Sequence, residues 1–243
     1  MIVSVFNTEG GSGKTSTSTL LLSAIAKSNA EGNRAIKTIA MDTDPQGTLS
    51  AFFYRRAKSD RPDLAITHQI MNLQGKAPGF SSEEAQVHLR NCAEICDMLI
   101  LDCAGSFDTS AAAAILVSDI VVVPAAMVTA EISVAIPIIR GINRTAEVHG
   151  LDVTACLAIN REEPIPSKTQ KALGQIVEEE DIPVLSTRIP RLGVIAEMIS
   201  HGLYLHEMQG QGSSEKSLTR SLGKGAGLLG EISEHFNRNQ QVA

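Results

Sequence analysis

A ten-residue stretch near the start of the chain decides the fold: Asn7-Thr8-Glu9-Gly10-Gly11-Ser12-Gly13-Lys14-Thr15-Ser16. It follows the apolar run Ile2 to Phe6 and leads into a segment with apolar residues at helical spacing. A strand, a glycine loop with a lysine and a hydroxyl residue, and then a helix is the layout of a phosphate-binding loop. Glycines let backbone N–H groups turn toward phosphate oxygens, and the helix N-terminus adds partial positive charge. In such a loop Lys14 contacts the outer phosphates and the Thr15 hydroxyl holds Mg²⁺.

The loop departs from the general pattern G-x-x-x-x-G-K-[ST]. Counting back five positions from Gly13 leads to Thr8 rather than to a glycine, so only the shorter form Gly10-Gly11-x-Gly13-Lys14-Thr15 is present. The alternative interpretation is a glycine-rich turn that happens to precede a lysine. The strand before the loop and the helix after it favour the phosphate-binding loop.

Composition limits the class of protein. A chain of 243 residues with 43% hydrophobic residues can bury one sizeable core, so residues 1–243 are expected to form one domain. The net charge of −6 argues against a surface that is basic throughout, so any DNA contact needs a local patch. No apolar stretch approaches the roughly 18 residues that cross a membrane, and no cleavable leader is apparent. We therefore expect a cytoplasmic protein that does not bind membranes.

The cysteines do not indicate a metal site or a disulfide. The chain has four cysteines: Cys92, Cys96, Cys103 and Cys156. None of them forms a C-x-x-C pair or has a histidine cluster beside it. Buried, reduced thiols are the expected use of such residues.

Two carboxylates follow the second predicted strand, Ala35 to Met41. They lie in the segment Asp42-Thr43-Asp44-Pro45-Gln46-Gly47. Open α/β sheets bind ligands at the carboxyl ends of their strands. Carboxylates close to phosphates repel them unless a metal ion or a reacting water lies between, which makes Asp42 and Asp44 candidates for that environment. A turn closed by an aspartate side chain and a proline is the alternative.

Further apolar runs predict the rest of the sheet. A short strand is expected at 64–67, and buried parallel strands read as continuous apolar segments, here 98–102, 119–124, 153–159 and 184–189. Helical patterns lie between them at 110–117, 130–148 and 168–180, with Pro137 expected to kink or restart the second. The predicted fold class is α/β, a mostly parallel twisted sheet with helices on both faces.

These motifs resemble those of the ParA/MinD family of partition and positioning ATPases, whose deviant Walker A box reads K-G-G-x-G-K-[ST]. The segment from Asp42 to Gly47 resembles the family's second box, and Met98 to Asp102 with Gly105 resembles its Walker B strand and switch. Ile189-Pro190-Arg191 through Gly202 is similar to the segment that closes over the base. The resemblance extends from residue 2 to about residue 205 and implies a P-loop NTPase fold.

The resemblance also implies roles for individual residues. Lys14 and Asp44 would be catalytic, Asp44 by orienting or activating the attacking water, and Gly105 would sense the γ-phosphate. Mg²⁺ would be held by Thr15 and Asp102. Asp42 would either belong to the ligand shell of the ion or support that shell. ATP would contact Asn160 and Arg161 at the adenine. It would also contact the remaining candidates Glu9, Gly10, Gly11, Ser12, Gly13, Lys14, Thr15, Ser16, Pro190 and Arg191.

The family resemblance implies an ATP-dependent homodimer that binds DNA without sequence preference and is reset by hydrolysis. A ParB-like partner would stimulate turnover, and the cargo could be a plasmid, a chromosome, a protein assembly or a relaxase complex. No helix-turn-helix segment is expected before residue 1.

The C-terminal tail, about 206–243, is expected to be helical. Five apolar residues fall on one side of it, namely Leu218, Leu222, Leu229, Ile232 and Phe236. Lys216, Arg220 and Lys224 lie four apart on the other side and could contact DNA phosphates, although a packing helix with a solvated face explains them equally well.

Glu9 stands where the family has its signature lysine. An anion beside a triphosphate reverses a large electrostatic effect. Three interpretations follow: a basic residue such as Arg161, Lys168 or Arg191 replaces the lysine, Glu9 pairs with a cation across the dimer, or the protein binds ATP with little turnover.

The sequence also allows comparison with other functions. Glu9 is compatible with a non-hydrolysing nucleotide-gated scaffold or an accessory ATPase of conjugative transfer. An iron–sulfur reductase of the NifH type would need cysteines at the dimer axis, which Cys92 and Cys96, in a predicted helix, do not offer. A metabolic P-loop kinase fits the Asp-Pro-Gln-Gly and Ile-Pro-Arg segments poorly.

Overall fold

A computed structural model describes residues 1–32, 35–71, 81–191, 193–210 and 214–242. Within these residues six parallel strands form one sheet in the order β3-β2-β4-β1-β5-β6. The strands are β1 (Ile2–Val5), β2 (Thr38–Asp42), β3 (Ile66–Ile70), β4 (Met98–Asp102), β5 (Ile120–Ala126) and β6 (Thr154–Asn160). The predicted parallel sheet is confirmed.

Helices connect the strands. They are α1 (Lys14–Glu31), α2 (Thr48–Arg56), α3 (Ser82–Glu94), α4 (Thr109–Val117), α5 (Thr129–His149), α6 (Lys168–Glu179), α7 (Gly193–His201) and α8 (Glu215–Val242), with a short 3₁₀ turn at Leu205–Glu207. Pro137 lies inside α5, which runs through it as one helix, so the predicted restart was wrong.

The core lies on both faces of the sheet because alternate strand residues point to opposite sides. On β1, Ile2 contributes to one hydrophobic cluster while Val3 and Val5 contribute to the other. Helices α3, α4 and α5 cover the first face, and α1, α2, α7 and α8 supply buried residues to the second. The prediction of helices on both faces is confirmed.

Strand register brings the functional segments together. Val5 at the end of β1 and Asp42 at the end of β2 both lie opposite Asp102, the last residue of β4. The loops that follow these three strands therefore leave the sheet side by side.

Three boundary predictions needed correction. The third strand begins at Ile66 because Leu64 and Ala65 have positive φ angles, 55° and 58°, which no strand accommodates. The predicted strand at 184–189 is reduced to isolated parallel bridges, such as that between Leu157 and Val184. On the predicted apolar side of α8, Leu218 and Ile232 are buried and Leu229 is half-buried, and Leu228, which was not predicted, is fully buried.

The four cysteines are free: Cys92, Cys103 and Cys156 are buried, and Cys96 is half-buried. Burial raises the pKa of Cys103 and Cys156 to about 12, so both thiols stay protonated at neutral pH. Within the described residues no helix is long and apolar enough to cross a membrane.

Candidate nucleotide-binding site

The glycine loop has the backbone geometry that its sequence predicts. Gly11 and Gly13 have φ angles of +73° and +95°, a region that residues with a side chain rarely adopt. Asn7, buried at the start of the loop, donates from Nδ2 to the Pro124 carbonyl at 2.8 Å and accepts from the Glu9 N–H at 3.0 Å. The loop is thereby fixed to β5 on one side and leads directly into α1 on the other.

A cleft of about 590 Å³ opens above this loop. Eight of the predicted site residues line it, from three separate segments: Gly10, Gly11, Gly13, Lys14, Thr15, Ser16, Asp44 and Gly105. The remaining walls come from their neighbours in the same segments, such as Gln46 and Ser106. The structure therefore brings the glycine loop, the Asp44 turn and the Gly105 switch around one cavity.

Lys14 is positioned by the loop that precedes it. Its ammonium group donates to the Glu9 carbonyl at 3.2 Å, and the residue is only 9% exposed. A Cβ placed on Gly105 would lie 3.2 Å from the same nitrogen. The Lys14 charge and Gly105 thus face the same point of the cleft.

Asp102 is fully buried and accepts two hydrogen bonds from α1. The Thr15 hydroxyl donates to one oxygen at 2.7 Å and the Ser18 hydroxyl donates to the other at 2.9 Å. Burial raises the pKa of Asp102 to about 7, against the effect of these two hydrogen bonds. Ser18 was not predicted, although its position three residues after Thr15 places it on the same helix face.

The Thr15 hydroxyl and the Asp102 carboxylate form an oxygen donor set at the cleft. Hard oxygen ligands of this kind suit Mg²⁺, which keeps several of its waters and is held through one or two carboxylates and the phosphates of the bound nucleotide. A buried carboxylate whose charge is poorly solvated also gains from a nearby cation. The residues present therefore fit a magnesium ion.

The two aspartates of the second box have different surroundings. Asp42 is buried, and its carboxylate accepts from the Ser50 N–H at 2.7 Å, from the Ser50 hydroxyl at 2.6 Å and from the Asp44 N–H at 3.0 Å. Asp44 is half-buried and lines the cleft, where its carboxylate accepts from the Gln46 N–H at 2.9 Å. Asp42 thus supports the turn that presents Asp44, and Asp44 is the carboxylate that faces the cavity.

Asn160, at the end of β6, lies against the glycine loop. It is buried, and its side-chain amide donates to the Ser12 carbonyl. A Cβ on Gly13 would lie 2.4 Å from the Asn160 amide nitrogen, so glycine is the residue that this approach permits. The Ser12 hydroxyl is buried without a partner among the described residues.

The other predicted base contacts lie close to Asn160. Arg161 donates from Nε to the side-chain oxygen Oδ1 of Asn160 at 3.3 Å and forms an ion pair with Glu131. Pro190 is buried, and it bridges to Glu162 beside the end of β6. Arg191 is exposed and donates its N–H to the Glu162 carbonyl at 3.3 Å. These residues form a continuous edge next to the glycine loop, outside the cleft above it.

Glu9 is half-buried and projects from the loop outside the residues that line the cleft. Within the described part of the chain its carboxylate has neither an ion pair nor a hydrogen bond. Its charge is therefore not compensated by any of the described residues.

The predicted basic residues of the tail lie on α8. Lys216 and Arg220 are exposed and Lys224 is half-buried. Arg220 also lines a cleft of about 310 Å³ together with Arg161, Lys171 and Arg188. Sequence reasoning missed Lys171 and Arg188 because the four cations come from segments far apart in the chain and share no local spacing.

In this parallel α/β sheet the first strand leads through a glycine loop into a helix, and the lysine and hydroxyl of the loop lie beside a buried aspartate. These features define a P-loop nucleotide-binding protein. The family model described as CobQ/CobB/MinD/ParA nucleotide binding domain matches residues 3–241. The chain belongs to this family of nucleotide-binding ATPases.

Individual relatives agree with that assignment. The chain is 22% identical over 218 residues to the maintenance of carboxysome distribution protein A of Halothiobacillus neapolitanus, covering 87% of this chain and 89% of the relative. A putative plasmid partition protein of Borrelia burgdorferi B31, solved with AMPPNP, superposes with a TM-score of 0.69 at 16% identity over 98% of both chains.

Two further solved structures share the fold. Apo McdA of Cyanothece has a TM-score of 0.68 at 16% identity and covers 92% of this chain and 98% of its own. MinD of Pyrococcus horikoshii OT3, complexed with Mg-ADP, has a TM-score of 0.63 at 15% identity over 93% of both chains. These proteins include partition, division-site and carboxysome-positioning ATPases, and the resemblance inferred from the motifs is confirmed at the level of family and fold.

Proposed function

We propose that the protein is a ParA-like ATPase that binds Mg-ATP, dimerises, and binds DNA without sequence preference in order to partition or position a plasmid, a chromosome or a protein cargo. ATP hydrolysis resets the cycle. The observation that carries the proposal is the convergence of Lys14, Thr15, Asp44, Asp102 and Gly105 at the carboxyl ends of three adjacent strands. The proposal implies association with the nucleoid.

The phosphate chain is held by the glycine loop. Hydrogen-bond donors and positive charge lie along one wall of the cleft. They come from the N–H groups around Gly11 and Gly13, the α1 N-terminus and the Lys14 ammonium group. Mg²⁺ supplies charge neutralisation between the phosphates. Thr15 and Asp102 hold that ion, and Ser18 keeps the Asp102 carboxylate in place.

Hydrolysis requires a positioned water, for which Asp44 is the available carboxylate. Its turn is held by Asp42, whose two oxygens are bound to the Asp44 N–H and to Ser50. A rigid support of this kind keeps the Asp44 carboxylate oriented toward the γ-phosphate position.

Switching follows from Gly105. Because the space over Gly105 is bounded by the Lys14 ammonium group, the glycine N–H can reach a γ-phosphate that Lys14 also contacts. Loss of that phosphate on hydrolysis removes both contacts, and with them the differential affinity that favours the dimer.

The DNA-binding part of the proposal is supported by the cationic surface. Arg220 of α8 lines a cleft together with Arg161, Lys171 and Arg188, and Lys216 and Lys224 lie on the same helix. Arg161 and Arg188 are paired with Glu131 and Glu162, so the support comes from Lys171, Arg220 and Lys216, which form no ion pair among the described residues. On a chain of net charge −6, a local group of cations is what phosphate binding needs.

The decisive experiment measures binding to a random-sequence DNA duplex at one moderate salt concentration with ATP, with ADP and without nucleotide. Binding with ATP alone, weakening steeply as salt rises, is expected. Arg220→Ala should weaken this binding and lower the salt slope by about one unit. Arg90→Ala, an exposed arginine on α3 on the other face of the sheet, is the matched control. Absence of binding in all three states refutes the DNA-tethered version.

Two variants separate nucleotide binding from turnover. Lys14→Ala should lose ATP binding and therefore DNA binding, whereas Asp44→Ala should retain both and lose hydrolysis. Retained ATP-dependent DNA binding in Lys14→Ala would contradict the assigned role of the lysine.

Glu9 favours a second candidate, a nucleotide-gated scaffold that does not hydrolyse ATP. Its uncompensated carboxylate stands where a cation would neutralise a partner's phosphates. Single-turnover cleavage of ATP faster than the protein-free blank refutes this candidate.

A further inference from the structure

Helix α8 approaches the rest of the protein unusually closely at two glycines. A Cβ on Gly225 would lie 3.2 Å from the Leu20 carbonyl oxygen of α1, and a Cβ on Gly227 would lie 2.8 Å from the Thr187 hydroxyl. Glycines at these two positions let the helix backbone lie against α1 and against the segment that contains Thr187. These two glycines, unfavourable for an isolated helix, therefore serve close packing.

Glu231, one turn further along α8, binds that same segment through three donors. The Ser186 N–H donates to Oε2 at 2.6 Å, and the Thr187 N–H donates to Oε1 at 2.7 Å. The Thr187 hydroxyl donates to Oε1 as well. A carboxylate that accepts three hydrogen bonds from two consecutive residues fixes the backbone of that segment to the helix.

The segment held by Glu231 continues directly to the edge of the nucleotide site. The Ile189 N–H donates to the Ile159 carbonyl at 2.8 Å, and the Glu162 N–H donates to the Ile189 carbonyl at 3.0 Å. Between those two partners lies Asn160, whose amide is bound to Ser12 of the glycine loop. A continuous series of contacts therefore runs from Glu231 through residues 186–190 to the phosphate-binding loop.

We propose that Glu231 is a positioning residue of the nucleotide site, which holds residues 186–191 against the end of β6 and makes nucleotide binding depend on α8. The proposal rests on the proposed function and on the expectation that Pro190 and Arg191 contact the base of the bound ATP. Because Lys216, Arg220 and Lys224 lie on the same helix, Glu231 also transmits the effect of DNA contact to the nucleotide.

The proposal separates the two ends of ATP. The triphosphate contacts the glycine loop and Lys14, whereas the base contacts the segment that Glu231 holds. Removing the Glu231 charge should therefore weaken binding of the whole nucleotide and leave binding of the phosphate chain alone unchanged. A residue that merely stabilised the fold would affect both ligands equally.

The test compares Mg-ATP with Mg-tripolyphosphate by titration calorimetry. Glu231→Gln should bind ATP about tenfold more weakly, because an amide cannot accept from all three donors, and should bind tripolyphosphate as the wild type does. Glu234→Gln is the matched control, since Glu234 is exposed on the same helix and its side chain accepts no hydrogen bond within the described residues. Equal losses for both ligands, or no loss for ATP, overturn the proposal.

A second variant covers the case in which Glu231→Gln is poorly folded. Thr187→Val removes one donor while keeping the shape of the side chain, so ATP affinity should fall about threefold with tripolyphosphate affinity unchanged. Thr187→Ser retains the hydroxyl and should restore ATP affinity. Failure of the serine variant to restore it would overturn the assigned contact.

Linkage to DNA is measured with the same proteins. Saturating duplex DNA should raise the ATP affinity of the wild type, and this increase should be lost in Glu231→Gln because coupling between two binding sites is reciprocal. An unchanged increase in the variant overturns transmission through Glu231. If the wild type binds no DNA, the proposed function fails in its DNA part, while the comparison of ATP with tripolyphosphate still decides the role of Glu231.

Discussion

At the scale of single residues, Asp102 combines deep burial with a charge that its proposed role in holding Mg²⁺ requires. The Thr15 and Ser18 hydroxyls are its hydrogen-bond donors, and burial still raises its pKa to about 7. Without a cation nearby, the ionised form is therefore less stable in the folded protein than in the unfolded chain.

This conflict predicts a stabilising substitution in the metal-free protein. The pKa of Asp102 is higher in the folded state than its ordinary value of 3.8, so ionisation destabilises the fold fully above about pH 7, and the penalty disappears as the pH falls toward 3.8. Asp102→Asn should raise the free energy of unfolding at pH 8 by on the order of 2 kcal/mol and by less at pH 5. Urea denaturation at both pH values measures this, with exposed Asp60→Asn as control. A variant less stable than the wild type at pH 8 would contradict the assignment.

Residues of the site differed in how far the sequence predicted them. Lys14, Asp44 and Gly105 belong to local motifs, and all three line the cleft. Ser50 and Glu231 were missed because their partners are found only through the fold: Ser50 binds Asp42, and Glu231 binds a segment more than forty residues away. The spacing of residues within a motif predicts which of them line a loop. It does not predict which distant side chain supports that loop.

At the scale of secondary-structure elements, packing overrides intrinsic preference. The predicted strand at 184–189 fails to form a full ladder because the Thr187 N–H donates to Glu231 of α8 instead of to β6, so that within the described residues only the Leu185 and Ile189 N–H groups of this segment donate to β6. Helix α8 persists through four glycines because Leu218, Leu228 and Ile232 bury their side chains against the sheet and its neighbouring helices.

Two glycines of α8 should respond to alanine with opposite signs. Gly227→Ala places a Cβ 2.8 Å from the Thr187 hydroxyl, which cannot move without breaking its bond to Glu231, so stability should fall by about 1–3 kcal/mol. Gly230→Ala meets nothing within 4 Å and should gain up to about 1 kcal/mol through helix propensity. Thermal unfolding of the two variants tests the difference. Equal effects would show that α8 does not pack as described.

Helix α2 is tied to the 3₁₀ turn by a buried ion pair. Both terminal nitrogens of Arg56 donate to Glu207, at 2.7 and 3.0 Å, and the guanidinium lies 3.9 Å from the centre of the Tyr204 ring. Burial alone pushes the pKa of Glu207 upward, but the hydrogen bonds from Arg56 and from the Tyr204 N–H, with the Arg56 charge, hold it below its ordinary value.

Removing one partner of this pair should be costly. Glu207→Gln leaves a buried guanidinium without its counter-charge and should destabilise the protein by about 3–5 kcal/mol at pH 7. Because the folded-state pKa is depressed, the contribution of Glu207 is fully present above its unfolded pKa near 4.5 and is lost as the pH falls through the folded value. The gap between variant and wild type in urea denaturation should therefore narrow below pH 4.5. A gap independent of pH would indicate that lost packing, rather than charge, accounts for it.

At the scale of the whole molecule, the sheet was the most predictable feature. Continuous apolar runs predict buried parallel strands, and the carboxyl ends of β1, β2 and β4 do meet at one site. The sequence alone predicts neither the strand order nor the cleft shared by Arg161, Lys171, Arg188 and Arg220. Both depend on how segments far apart in the chain cross over.

Glu9 bears on the assembly of two subunits. Glu9→Lys replaces an uncompensated anion with a cation beside the phosphate site. The dissociation constant of the ATP-bound dimer should therefore fall about tenfold, whereas the association of ADP-bound protein should be unaffected. Sedimentation equilibrium with each nucleotide measures this. Glu94→Lys, the same change at an exposed position on α3, is the control. A weaker dimer in Glu9→Lys would instead indicate that Glu9 pairs with a cation of the second subunit.

The strand order also determines when the nucleotide site can exist during synthesis. Strand β1 lies between β4 and β5, which begin at residues 98 and 120, so the first strand made gains its second neighbour only after about half of the 243 residues have been made. At about 5–20 residues per second, β1 and its glycine loop wait roughly 6 to 23 seconds for β5. An apolar strand exposed for that long is a natural substrate for chaperones, and nucleotide can assist folding only after both neighbours have joined it.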